Sequence, residues 1–298
     1  METESLVVYI NGKFVPPEGA TISIFDLGFL RGDTVYDTTS AWHGWIFKLE
    51  AHVARLYDSL RAVKMAIPLS PEELQHAIID TTRRCGLRDA YIKCLVTRGL
   101  PPPGERDLRK CIPTVIIFVV PYVWILPPEK IAHGARVNIA SVRSIPPQCL
   151  DPRIKSVNRL HFTLATLETY AAGMDETILL DLDGHVTEGP GFNVFMVKHN
   201  TLYTSPEGIL RGITRDTVLE LADENDMATH VTPMTVYDLF AADEVFLSST
   251  AGGLMPVVEV EGRSIGDGRP GPVTKRLTEL YWSMREDGRY GTPVFHPA

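Results

Sequence analysis

Strand and helix signals in this chain come in clusters and never in regular βαβ alternation, and that clustering limits the possible folds more than any other feature. A doubly wound parallel sheet needs a helix between successive strands, and its dinucleotide-binding form opens with G-x-G-x-x-G; the chain has neither. The first third instead reads as two hairpins followed by two helices. Leu6–Ile10 and Lys13–Val15 flank Asn11-Gly12, which supplies the positive φ angles of a type I′ turn. Thr34–Trp42, His43-Gly44 and Trp45–Leu49 make the second hairpin. Val53, Leu56, Leu60 and Val63 recur at helical spacing within Glu50–Met65. Ser70, with Glu73 three positions on, forms a capping box for a helix over Pro71–Arg84. Tyr91–Thr97 and Thr114–Pro121 are the next strands.

A proline-rich stretch, Pro121 to Pro128, breaks the pattern. The expected organisation is a smaller α/β domain over 1–120, a linker over 121–135 and a larger α/β domain over 136–298. In the second block a helix is expected near Asn158–Ala172, then a hairpin of Thr177–Asp181 and Phe192–Val197 across Asp183-Gly184. A strand at Thr201–Thr204, a helix at Thr214–Asp223, strands at Val245–Ser248 and Val257–Val260, and a helix at Val273–Arg285 complete it.

Composition narrows the function. With 298 residues, 44% hydrophobic and 22% charged, the chain can bury a sizeable core. Its 29 basic residues against 37 acidic ones leave a charge of −8, which excludes a general nucleic-acid binder. The four cysteines show no CxxC pairing, as expected of reduced cytoplasmic thiols. The opening Met1–Ser5 is acidic, the run Leu6–Ile10 is too short for a signal peptide, and Val115–Val120 is far below a membrane span. A soluble cytoplasmic protein without a membrane partner is expected. The nine histidines show no metal-ligand spacing, so no catalytic metal is expected.

Two segments could hold an anion. Gly212-Ile213-Thr214 opens a helix, whose first amides and dipole favour negative charge, and the Thr214 hydroxyl adds a donor. Ser248-Ser249-Thr250-Ala251-Gly252-Gly253 follows a strand with small hydroxyl residues and glycines that permit close backbone approach. Each alone is an ordinary cap or turn; together they point to a phosphate. Glu188, between glycines before a strand, could be a solvated turn or a carboxylate that fixes the charge of a cofactor ring nitrogen. Lys155 lies among apolar neighbours, and a Schiff-base lysine must spend time neutral.

The order Arg55, Lys155, Glu188, Gly-Ile-Thr and Ser-Ser-Thr-Ala resembles the fold-type IV (class IV) pyridoxal-phosphate aminotransferases. The resemblance runs from Tyr9-Ile10-Asn11-Gly12 to the last helix. Its most specific segments are Thr187–Asn193, Leu210–Arg215 and Thr250–Pro256. It implies a two-domain α/β enzyme, a homodimer whose active site is shared with the partner chain, and pyridoxal 5′-phosphate as cofactor. A ping-pong mechanism would move an amino group from an amine or amino-acid donor to a keto acid. Lys155 would anchor the cofactor and shuttle the substrate Cα proton. Glu188 would pair with the pyridine nitrogen, so that the ring accepts the Cα electrons. Arg55, the Ile213 and Thr214 amides, Ser249 and Thr250 would hold the phosphate, with Phe192 and Leu210 against or beside the ring.

For the substrate, Arg31, Tyr36, Lys93, Arg106, Trp124 and Ala251 are the candidates. Phe25–Asp33, Val96–Leu100, Pro121–Trp124 and Gly268–Pro272 are most similar to (R)-selective amine transaminases. Arg31 stands where those enzymes commonly carry histidine, however, and Lys155-Ser-Val-Asn is more like the D-amino-acid version. Branched-chain aminotransferases carry a basic residue at the position of Lys93, where strand alternation turns Tyr91 and Lys93 to one face. Arg31 or Arg106 could equally grip a keto-acid carboxylate. Trp42, Trp45, Tyr122 and Trp124 are pocket or core residues. The expectation is an (R)-selective amine:pyruvate transaminase. Branched-chain or D-amino-acid aminotransferase is the alternative; aminodeoxychorismate lyase and a non-catalytic ligand-binding homologue are more remote ones.

Overall fold

A computed structural model describes residues 6–295, so the acidic opening Met1–Ser5 lies outside the described residues. The chain divides into two compact units. The first runs to Val123 and contains strands β1 (Val8–Ile10) and β2 (Lys13–Val15), helix α1 (Leu27–Arg31), and strands β3 (Thr34–Trp42) and β4 (Trp45–Phe47). Helices α2 (Leu49–Ala62) and α3 (Pro71–Cys85) and strands β5 (Ala90–Leu100) and β6 (Ile112–Pro121) follow. Asn11 and Gly12 do take positive φ, at 45° and 86°, and Ser70 and Glu73 exchange both bonds of the capping box.

The second unit holds helix α4 (Pro128–His133), strand β7 (Ala135–Ile139), helix α5 (Leu160–Ala172), and strands β8 (Glu176–Ile178), β9 (Glu188–Gly189), β10 (Phe192–Lys198) and β11 (Thr201–Thr204). Beyond these come helix α6 (Ile213–Glu224), strand β12 (Thr229–Val231), helix α7 (Val236–Phe240), strands β13 (Glu244–Ser249), β14 (Gly253–Val260) and β15 (Arg263–Ser264), and helix α8 (Pro272–Glu286). A last strand, β16 (Gly291–Pro293), belongs to the first unit.

The first unit is a seven-stranded sheet in the order β16-β4-β3-β5-β6-β1-β2, and α2 and α3 pack on one face. Val53, Leu56 and Leu60 of α2 and Leu74 and Ile78 of α3 meet Val35, Ile92, Val96 and Ile117 of the strands there. Burying each such side chain contributes roughly 1.5–3 kcal/mol. The second unit is a nine-stranded sheet with the path β12-β11-β10-β13-β14-β7-β8; β15 pairs with β14 and β9 with β10. It mixes parallel pairs, such as β7 with β8, with antiparallel ones, such as β10 with β13.

Sequence spacing missed three connections. The expected linker over 121–135 includes α4 and the start of β7, which lies beside β14 inside the second sheet. The expected hairpin of Thr177–Asp181 with Phe192–Val197 is absent among the described residues: β8 pairs with β7, Asp183-Gly184 closes only the bridge Leu180–Val186, and β10 pairs with β9, β11 and β13. Two later segments return to the first unit. Ile154–Asn158 is held on β3, where the Tyr36 N–H donates to the Lys155 carbonyl at 2.8 Å and the Val157 N–H to the Thr34 carbonyl at 3.1 Å. The chain from Arg285 follows, with β16 antiparallel to β4. No described helix is long and apolar enough to cross a membrane.

Candidate active site

In the first unit, strand alternation splits β3 between two environments. Asp37 faces α2 and is 4% exposed. Arg55 donates to it twice, Nε to Oδ2 at 2.8 Å and Nη2 to Oδ1 at 2.9 Å, while His52 Nδ1 lies 2.7 Å from Oδ1. The Thr38 N–H donates to the same Oδ1 at 2.8 Å. Burial pushes the Asp37 carboxyl up, but the charge and hydrogen bonds of Arg55 and His52 outweigh it and hold the carboxyl well below the usual range. Burial lowers His52, against the opposing pull of Asp37. His52 is therefore a neutral donor to an ionised carboxylate at neutral pH.

Tyr36, next in the strand, is turned the other way and carries two ammonium groups. Lys93 Nζ, from β5, lies 4.5 Å from the ring centroid and Lys155 Nζ 4.9 Å, both at cation–π range. The Lys155 backbone is fixed by β3 and by its N–H, which donates to Ser59 Oγ of α2 at 3.2 Å. Lys155, Lys93, Tyr36 and the Arg55–Asp37 pair thus gather in one unit, although Lys155 is far from the others in sequence. Arg31 and Arg106 are exposed, and among the described residues neither forms a hydrogen bond or ion pair with that group.

In the second unit, Glu188 is 9% exposed. Its Oε2 accepts from the Leu210 N–H at 3.0 Å and lies 3.4 Å from Asn193 Nδ2, which also donates to the Leu210 carbonyl at 2.9 Å. Gly212, the N-cap of α6, approaches so closely that a Cβ there would lie 2.2 Å from Asn193 Oδ1. Helix α6 has no side-chain cap, so the amides of Ile213 and Thr214 are offered at an open N-terminus. Ser249 Oγ donates to the Gly191 carbonyl at 2.8 Å and accepts from the Ala251 N–H at 3.2 Å. The Ala251 carbonyl accepts from the Ile125 N–H at 2.9 Å, which sets Trp124 beside the Thr250-Ala251 loop. Trp124 itself packs on Trp282 with ring centroids 5.7 Å apart.

Phe192 lies in the apolar core with Val194 and Met196, its ring so close to Gly189 that a Cβ there would fall 2.2 Å from it. Alternation along β10 turns Phe192 inward and Asn193 outward, so Asn193 is the β10 residue that reaches the Glu188 side. Asp37 and His52 lie outside every sequence motif, while Asn193 and Ser248 lie within motifs that give them no individual role. One signal was available: a carboxylate inside a strand of otherwise uncharged residues needs a buried partner, and His52 and Arg55 lie three apart on one helix face.

Asp181, Asp183 and His185 bring possible metal ligands within 4.8 Å of one another. Their closeness follows from the turn, in which Asp181 Oδ1 accepts from the Asp183 and His185 N–H groups at 2.9 and 2.8 Å.

A phosphorylated pyridine fits the residues of the second unit. The uncapped α6 terminus suits a phosphate, and the Ser248 hydroxyl, buried at the end of β13 beside Ser249, has no hydrogen-bond partner within the protein. The held carboxylate of Glu188 suits a ring N–H.

The family model for class IV amino-transferases matches residues 34–260, and the chain belongs to that family. It is an aminotransferase. It is 41% identical over 291 residues to a putative branched-chain-amino-acid aminotransferase of Methanocaldococcus jannaschii, covering 97% of this chain and 99% of that protein. A D-alanine aminotransferase of Bacillus licheniformis is 34% identical over 275 residues, covering 91% and 94%. Among solved structures, the Escherichia coli branched-chain amino acid aminotransferase matches with a TM-score of 0.93 at 29% identity, covering 98% of this chain and all of that one. A branched-chain amino acid aminotransferase solved with pyridoxamine 5′-phosphate matches with a TM-score of 0.91 at 33% identity, covering 98% and 99%.

Proposed function

We propose that this pyridoxal-phosphate-dependent aminotransferase takes branched-chain L-amino acids as donors and passes the amino group to a keto acid. The observation that carries this reading is the pair of ammonium groups on Tyr36, with Lys93 Nζ at 4.5 Å and Lys155 Nζ at 4.9 Å from the ring centroid. A cation beside the catalytic amine suits a substrate that brings an α-carboxylate. A donor amine without a carboxylate would make no use of Lys93 in that half of the cycle. The names of the relatives lean the same way, and none of these four supports the (R)-amine preference suggested by Phe25–Asp33 and Gly268–Pro272.

Pyridoxal phosphate, when bound, supplies an electron sink that acidifies the substrate Cα–H. Lys155 Nζ would hold the cofactor covalently and, once released, take and return the Cα proton as general base. Glu188 would accept from the pyridine N–H, and the Leu210 amide and Asn193 help keep the carboxylate aimed. Arg55, the Ile213 and Thr214 amides, Ser249 and Thr250 would bind the phosphate. Leu210 holds Glu188 through its backbone. Trp124 and Ala251 would border the substrate.

The test is a set of half-reactions. The yellow holoenzyme is mixed with L-leucine, D-alanine and the two enantiomers of 1-phenylethylamine, and loss of its visible absorbance is timed. L-Leucine should react fastest, and Lys93→Met should raise its KM while leaving the amines unaffected. Fast reaction of (R)-1-phenylethylamine alone would overturn the branched-chain reading in favour of an (R)-amine transaminase. Preference for D-alanine would place the chain with the D-amino-acid enzymes.

A further inference from the structure

Resting on the proposed assignment of the cofactor phosphate to Arg55, we propose that Asp37 is a positioning residue that acts through Arg55, aiming its guanidinium at the phosphate. Arginine reaches an anion on a long side chain with many rotamers, and a binding fork is effective only if it is held before the anion arrives. Here Nε and Nη2 are both engaged by Asp37, at 2.8 and 2.9 Å, which sets the plane of the guanidinium. Asp37 is itself tied by the Thr38 N–H at 2.8 Å and by His52 at 2.7 Å. His52 stands three residues before Arg55 on α2, so one helix face supplies both groups that grip the carboxylate. Asp37 and His52 are 4% and 3% exposed, so neither swings into solvent.

A second effect of the carboxylate has the opposite sign. Its charge offsets that of Arg55 and weakens the pull on a dianion. Aiming and neutralisation are therefore separated by the direction in which phosphate affinity moves. In Asp37→Asn an amide N–H would face the guanidinium donors and turn the fork away. The expected result is that the apoenzyme binds pyridoxal phosphate tenfold to a hundredfold more weakly, the size seen when second-layer partners of ligand groups are removed. Binding of pyridoxal, which has no phosphate, should not change.

The experiment measures both dissociation constants with apoenzyme of the wild type, Asp37→Asn, Arg55→Met and the double variant. Aiming predicts that Asp37→Asn has no further effect once Arg55 is methionine. Tighter or unchanged binding of pyridoxal phosphate by Asp37→Asn overturns the proposal, as does an equal loss for pyridoxal, the sign of a general structural defect. If Arg55→Met leaves pyridoxal phosphate affinity intact, the phosphate assignment itself fails. Should Asp37→Asn not fold, Asp37→Glu keeps the charge but moves the fork by one methylene. It should lose phosphate affinity without losing pyridoxal affinity, and wild-type values for both would overturn the proposal.

Discussion

The lysine region and the glutamate region solve the same problem, holding a charged group still in a largely buried place, by different means. In the lysine region an ion pair holds Arg55, with Asp37 at 2.8 and 2.9 Å, while the Lys155 segment is anchored on β3 and its amine lies on the Tyr36 ring beside that of Lys93. Around Glu188 the Leu210 amide and the Asn193 side chain are among the groups that hold the carboxylate, beside an uncapped helix and a buried serine hydroxyl. A charge held by charges is sensitive to any change in its partners' ionisation. A side chain anchored by a backbone amide keeps its orientation whatever the ionisation of its neighbours.

Replacing the two central residues should separate the regions most strongly. Under the proposed function Lys155→Ala removes both the covalent anchor and the base, and single-turnover reaction with L-leucine should slow by at least about 10⁴-fold. Glu188→Gln keeps the Leu210 contact but loses the charge. It should slow the same step by roughly 10²–10³-fold while cofactor stays bound, as absorbance after gel filtration would show. An equally severe loss in both, or a fully active Glu188→Gln, would end the distinction.

Packing gives the next largest effect. Leu56, 1% exposed, lies under the Asp37 cluster on α2. Leu56→Ala should cost about 2–5 kcal/mol in denaturant unfolding. It should also disturb the lysine side before the glutamate side, which hydrogen exchange at Tyr36 and at Leu210 would resolve.

The two sheets should respond to pH in opposite directions. The Asp37 carboxyl is raised by burial but lowered further by Arg55 and His52. Below its unfolded pKa of about 3.9 the unfolded chain binds more protons, so its contribution to stability, complete above that pH, is lost as the pH falls. Glu176 of β8 is pushed up to about 7 by burial, with Asp175 adding to the rise against a backbone hydrogen bond at Thr177. Here the folded chain holds the extra proton, so stability is complete below about pH 4.3 and is lost as the pH rises through 7. Glu176→Gln should flatten the neutral limb of a melting-temperature profile and leave the acid limb; an unchanged neutral limb would contradict the assignment. The smallest effect belongs to a local cap. Ser70→Ala should cost about 1 kcal/mol in thermal unfolding and leave both half-reactions unaltered.

Much of this molecule was legible in its residues because the signals were local. The Asn11-Gly12 turn, the Ser70 cap and the period of α2 each lie within a few positions of the structure they set. The same holds for Glu188, Gly212 and Ser249, whose motifs are short and contiguous. Long-range pairing left no such trace. Nothing near Arg55 announces that Asp37 takes two of its donors, and nothing near Lys155 announces that its segment runs along β3. Strand alternation divides neighbours between two faces, and on β10, buried on both, only tertiary packing sets Phe192 on Gly189 beside Val194 and Asn193 toward Glu188. The sequence by itself therefore determined the elements, the turn chemistry and the family motifs, since these rest on backbone preferences a few residues long. Which strands pair, which carboxylate meets which arginine and what each side of β10 meets were decided by the tertiary structure alone, because those energies exist only once distant segments exclude water from one another.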